Sequence, residues 1–121
     1  GFHWNIKGER FFVLDAKYEE LYDDAVEKID EIAERILTVG GKPLHAFEDY
    51  LKVSSIKAEK DKCDAASTMA AVLNNLEVPI KMEREILHVA EAAEDEGTLA
   101  LISDYISQQE KLVWMLTSFM K

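Results

Sequence analysis

Only one cysteine, Cys63, and two prolines, Pro43 and Pro79, occur in the 121 residues. A single thiol builds no disulfide framework, so a reducing cytosol is the expected compartment. Cys63 itself reads as a small residue near a helix start rather than a reactive thiol. Basic residues are scarce: 14 Lys and Arg stand against 24 Asp and Glu. The resulting net charge of −10 repels free nucleic acid and attracts cations. Neither end offers a basic tail, so DNA binding by this chain is not expected. Lys57, Lys60 and Lys62 cluster modestly, but acids at 59, 61 and 64 interleave with them. The apolar runs are far too short to span a bilayer, and no signal peptide is legible, so no membrane partner is expected. Strand alternation, internal repeats and low-complexity segments are also missing. What is present, 48% hydrophobic and 31% charged residues, excludes disorder and fits one all-α domain over 1–121 with a sizeable core.

The longest periodic stretch runs from Glu9 to Leu37. Its apolar residues recur at Phe11, Leu14, Tyr18, Leu21, Tyr22, Ala25, Ile29, Ile32, Ala33 and Ile36. This three-and-four spacing is one face of a helix of about eight turns. Gly8 stops whatever precedes it, and Gly40, Gly41 and Pro43 form a glycine-then-proline stop. Beside the apolar face lies an acidic strip, Asp15, Glu19, Asp30 and Glu34, within an arc of roughly 100°. Asp15 and Glu19 are one turn apart, as are Asp30 and Glu34, but the two pairs are separated by about 16 Å of helix rise. One metal ion cannot span that gap. If two copies packed antiparallel about a two-fold axis between Asp24 and Ala25, Asp15 would face Glu34 of the copy and Glu19 would face Asp30. Two four-carboxylate clusters would result. On spacing alone, a solvated acidic face accounts for the same strip.

The segment KPLHAFEDYLKV (42–53) spaces Leu44, Phe47 and Leu51 for a short helix of two turns, with Ser54 and Ser55 interrupting it. A second long helix is predicted from about Asp61–Asp64 to Ala93, with Met69, Val72, Leu73, Leu76, Ile80, Ile86 and Leu87 inward. Pro79 should kink or split it near Val78, since an interior proline costs about 3 kcal/mol. In the turn EDEGT (94–98), Gly97 breaks the chain and Thr98 caps the next helix. That third helix is predicted from Leu99 to Met120, with Ile102, Tyr105, Leu112, Leu116 and Phe119 inward and Trp114 and Met115 at core spacing. Three long helices leave a bundle one short, and Phe2, Trp4 and Ile6 read as the end of an element.

GFHWNIKG, a helix ending in DEIAERI, then GGKPL, DYL, DEGT and WML together resemble the Dps family, the miniature ferritins of bacteria. The likeness covers essentially the whole chain. It implies a ferritin-like four-helix bundle whose first helix, normally closed by HWN, is largely missing here, and subunits that assemble through two-fold dimers into twelve-membered shells. It also implies a cytoplasmic protein that oxidises Fe²⁺ with hydrogen peroxide or oxygen and stores the product. By this resemblance His3, Asp15 and Glu19 on one subunit, and Asp30 and Glu34 on its neighbour, would be the metal ligands, with His3, Glu19, Asp30 and Glu34 carrying ferroxidase catalysis. Where the family pattern has a second histidine this chain has Asp15, a harder and negatively charged ligand. Ferroxidase activity is therefore the first expectation, and an impaired or truncated structural assembly the alternative. The resemblance further implies that Trp4 packs near the iron site and that Asp95 and Asp104 line cation pores. Solvated turn carboxylates explain Asp95 and Asp104 equally. Glu85 and His88 form a lone Glu-x-x-His, whereas a conventional intrahelical-bundle site needs two. His88 is expected as a surface or partly buried histidine, and His45 in a packing or capping role.

Overall fold

Three long helices account for most of the described residues: α1 (Phe11–Thr38), α2 (Ala65–Ala92) and α3 (Glu96–Phe119). The computed structural model describes residues 11–44, 49, 52–54 and 64–120. No strand occurs among the described residues, and the fold is all-α as the periodicities imply. In the connection after α1, Asp49, Lys52 and Val53 are helical, in keeping with a short helix there. His3, Trp4, His45, Cys63 and the lysines at 57, 60 and 62 lie outside the described residues. The chain divides into two compact units, residues 1–68 and 69–121, with the division falling inside α2.

In the first unit, α1 ends where the glycines predict. Gly40 takes a positive φ of 91°, Gly41 N–H donates to the Ile36 carbonyl at 2.8 Å, and Gly40 N–H donates to Leu37 at 3.1 Å. These two bonds are the paired closure of a left-handed helix stop, and they satisfy carbonyls that the last turn would otherwise leave open. A side chain at Gly41 would sit 2.8 Å from the Ile36 Cγ2. The start of α2 is held by Asp64, whose carboxylate accepts from the Ser67 backbone N–H at 2.8 Å and from the Ser67 hydroxyl. Those two bonds, the hydroxyl first, hold the Asp64 carboxyl below its ordinary pKa. Leu14 and Tyr18 of α1 are buried, and so is Thr68. Thr68 Oγ1 donates to the Asp64 carbonyl at 2.8 Å, which uses its one hydroxyl proton. Tyr18 Oη, 2.7 Å from Thr68 Oγ1, is therefore the donor of that pair. Burial pushes the Tyr18 phenol up from its ordinary pKa; the Thr68 bond opposes this and the Asp64 charge adds to it.

In the second unit, Ile102, Tyr105 and Ile106 of α3 form a buried cluster, with Leu87 of α2 and Leu101 packed against it. Met69, Ala71, Ala90 and Leu116 are buried too. Three expectations are corrected here. First, Pro79 does not split α2, which runs as one helix from Ala65 to Ala92 with the proline inside it. The missing N–H removes one bond from a 28-residue ladder, and the segments on both sides bury residues, which outweighs a local loss of about 3 kcal/mol. Second, the chain reverses at Glu94 (φ 56°), not at Gly97. Asp95 N–H reaches the Ala90 carbonyl at 2.8 Å and Glu94 N–H reaches Glu91 at 3.1 Å, so a glutamate fills the left-handed position. Asp95 then caps α3, accepting from Thr98 N–H at 3.1 Å and from the Thr98 hydroxyl at 2.6 Å. Gly97 and Thr98 belong to the first turn of α3, because the aspartate three residues before Thr98 is the better-placed acceptor. Third, Trp114 is 65% exposed and Met115 is also exposed. Ile102, Tyr105, Ile106, Gln109 and Leu116 set the buried stripe of α3, and Trp114 stands off it.

Candidate metal centre

The four carboxylates singled out on α1 all fall on one continuous helix, so their helical arithmetic holds. Asp15 is half-buried; Glu19, Asp30 and Glu34 are exposed. Each pair spans one turn, and about 16 Å of rise separates Glu19 from Asp30. Among the described residues no three His, Cys, Asp or Glu side chains of one chain converge on a point. Two ion pairs described on α1 engage other acids: Lys17 Nζ lies 3.2 Å from Glu20 Oε1, and Lys28 Nζ lies 2.6 Å from Asp24 Oδ2.

The same helix leaves much of its apolar face bare. Tyr22 is 61% exposed and Ile29 65%, and Val26, Ile32 and Leu37 are exposed as well. The expected inward set thus holds at Leu14 and Tyr18 but not at Tyr22, Ala25 or Ile29. At 100° per residue, Tyr22, Val26, Ile29 and Leu37 occupy the same side of α1 as Asp15, Glu19 and Asp30. An exposed apolar stripe carrying carboxylates at both ends is what a self-complementary helix pair needs.

Elsewhere, Asp95 is occupied as the cap of α3, and Asp104 is exposed and accepts from Gln108 Nε2 at 2.7 Å. Glu85 and His88 are both exposed. A different acid of α2 goes inward: Glu83 is only 8% exposed and accepts from the Nε2 of Gln109, also 8% exposed, at 3.0 Å. The signal was available in the sequence. Glu83 stands three residues after Ile80 and four before Leu87, on the apolar stripe of α2.

Residues 1–121 match the ferritin-like domain family. The chain is 51% identical over 119 residues to the DNA protection during starvation protein of Porphyromonas gingivalis, covering 98% of this chain and 75% of that protein. It is 38% identical over 119 residues to DNA protection during starvation protein 2 of Bacillus anthracis, covering 98% and 82%. Among solved structures, the Dps protein of Vibrio cholerae O1, described as a member of a broad superfamily of ferritin-like diiron-carboxylate proteins, superposes with a TM-score of 0.97. That match has 50% identity over all of this chain and 76% of the other.

Proposed function

This chain belongs to the Dps family of ferritin-like proteins, and from that membership we propose that it oxidises Fe²⁺ and stores the ferric product, as one ferritin-like domain over residues 1–121. Two copies pair through α1 about a two-fold axis. Each of the two sites then takes His3, Asp15 and Glu19 from one copy and Asp30 and Glu34 from the other. The observation that carries this reading is the exposed apolar stripe of α1 bounded by the two one-turn carboxylate pairs. Iron is the substrate. A set of carboxylate oxygens and one imidazole suits it, and hard anionic donors favour Fe³⁺ over Fe²⁺. Hydrogen peroxide accepts one electron from each of two Fe²⁺ ions and, with two protons, leaves as two waters. Two metals held together therefore complete the reduction without releasing a one-electron product. Asp15, in place of an imidazole, raises the negative charge of the site and broadens the metals it accepts. Asp95 and Asp104 are proposed as acids along the cation entry route, Asp95 doubling as the cap of α3. The expected setting is a cytoplasmic shell of twelve copies that protects the cell from oxidative damage. No described helix is long and apolar enough to cross a membrane.

Anaerobic titration with Fe²⁺ followed by peroxide tests the proposal. Two Fe²⁺ oxidised per peroxide, with saturation at a fixed number of irons per chain, supports it. Assembly without stoichiometric oxidation overturns it in favour of a structural shell with an impaired site.

A further inference from the structure

Asp15 and Glu19 stand beside the two buried side chains of α1: Leu14 is 1% exposed and Tyr18 5%. After Tyr18, no residue of α1 whose burial is described is buried. Tyr18 Oη donates to Thr68 Oγ1 at 2.7 Å, and Thr68, 0% exposed, donates in turn to the Asp64 carbonyl at 2.8 Å. Asp64 is itself held as the cap of α2 by the Ser67 N–H, so this buried chain of hydrogen bonds ends on a fixed point. Glu19 follows Tyr18 directly and Asp15 precedes it by three positions, about 100° and 60° away around the helix. A carboxylate stands roughly 5–6 Å from the helix axis, so a turn of about 10° carries it through about 1 Å. Ligands of a working site must be held to within about 0.5 Å. Apolar contact at Leu14 has no direction and does not fix the turn that finely, whereas a buried hydrogen bond does.

We propose that Tyr18 is a positioning residue for the α1 site, with Thr68 as its anchor: the bond between them sets the turn of the helix end that carries Asp15 and Glu19. The inference rests on the α1 reading, in which those two carboxylates are ligands. Tyr18 acts through the helix and not as a ligand, because its hydroxyl is engaged by Thr68.

Co²⁺ is the probe, since it binds nitrogen and oxygen donors somewhat more tightly than Fe²⁺ and its visible spectrum reports ligand geometry. Thr68→Val keeps the shape of the side chain and removes the hydroxyl. It should weaken Co²⁺ affinity about three- to tenfold, below the roughly 10–100-fold expected for a group bonded directly to a ligand, and alter the spectrum of the bound ion. Tyr18→Phe should do the same. The double variant should be no worse than either single one, because each removes the same link. Thr68→Ser, which keeps the hydroxyl, should retain both affinity and spectrum. Leu116→Ala, which loosens the second unit, should leave both unchanged. Sedimentation should find all these proteins assembled alike.

An equal loss in Leu116→Ala, or no retention in Thr68→Ser, reduces the bond to general stability and overturns the inference. Dissociation of Thr68→Val or Tyr18→Phe assigns the bond to the pairing of copies and also overturns it. Unchanged affinity in both, while Glu19→Ala abolishes binding, overturns the inference and leaves the α1 reading intact. Co²⁺ uptake indifferent to Glu19→Ala overturns the α1 reading and this inference with it.

Discussion

Helices α1 and α3 are of similar length, 28 and 24 residues, and treat their apolar side chains in opposite ways. On α3 the stripe Ile102, Tyr105, Ile106, Gln109 and Leu116 is buried within the chain. On α1, among the residues whose burial is described, only Leu14 and Tyr18 are buried, while Tyr22, Val26, Ile29 and Leu37 face outward beside the carboxylates. Periodicity marks both helices as amphipathic, but it does not say against what each stripe is covered. An apolar stripe that a chain does not cover itself is free to be covered by a copy, and surface carboxylates at its ends then become shared between copies. The difference separates a helix that stabilises the chain from one suited to building a site with a second chain.

The sharpest way to break this contrast is to split the α1 site between two variants. Asp15→Ala with Glu19→Ala, and separately Asp30→Ala with Glu34→Ala, should each abolish iron oxidation. After co-refolding, half of the dimers are mixed and each mixed dimer restores one of two sites, so about a quarter of the activity should return under two-fold symmetry. No recovery with mixed dimers confirmed by mass would place the site within one chain, and activity in either variant alone would reduce the strip to surface charge. Next in size, Leu116→Ala on α3 should lower unfolding stability by about 2–5 kcal/mol. Ile29→Ala on α1 should instead weaken self-association with little loss of stability in the separated chain. Chemical denaturation at several concentrations distinguishes the two, and equal losses would erase the contrast between the helices.

Asp15→His should raise Fe²⁺ affinity and oxidation rate by a factor on the order of ten, about 1.4 kcal/mol. If titration and stopped-flow absorbance are both unchanged, position 15 is not a ligand. Tyr18→Phe removes one buried hydrogen bond and should cost about 1 kcal/mol at neutral pH. The Tyr18 phenol is pushed up in the folded chain, so the folded state holds its proton more tightly than the unfolded one. Its contribution is whole below the unfolded value of about 10 and is lost as pH rises through the folded value. The difference in stability between wild type and Tyr18→Phe should therefore shrink on the alkaline side. A difference that stays flat to about pH 11, one unit past the unfolded value, would refute this assignment. The smallest effect is expected at Glu94, a glutamate in the left-handed conformation: Glu94→Gly should stabilise by up to about 1 kcal/mol. A calorimetric decrease would contradict that reading.

Much of this fold is legible in the residues. The glycine pair after α1, the aspartate before α2 and the three-and-four spacings locate the helix ends to within a few positions, because capping and periodicity are local effects. The reversal at Glu94 is not legible that way. Two left-handed candidates, Glu94 and Gly97, lie three residues apart, and local preference favours glycine. Asp95 decides the matter by capping α3 through Thr98. Pro79 likewise argues locally for a break that the packing of α2 overrides. The candidate ligands of α1 were legible as a pattern, because one-turn acid pairs survive any helical fold. Their bare apolar surroundings were not, since exposure depends on what the rest of the chain reaches.

By itself, then, the sequence determined that this chain is helical, where its three long helices run, and that four carboxylates share one side of the first. Each of these depends on residues a few positions apart, and the geometry of a single helix settles them. Only the tertiary structure decided that Trp114 faces solvent, that the inward Glu83 meets Gln109 of α3, and that the stripe of α1 stays uncovered. Those outcomes depend on which stripes of different segments come to face each other, a competition for burial that no single helix can resolve from its own spacing.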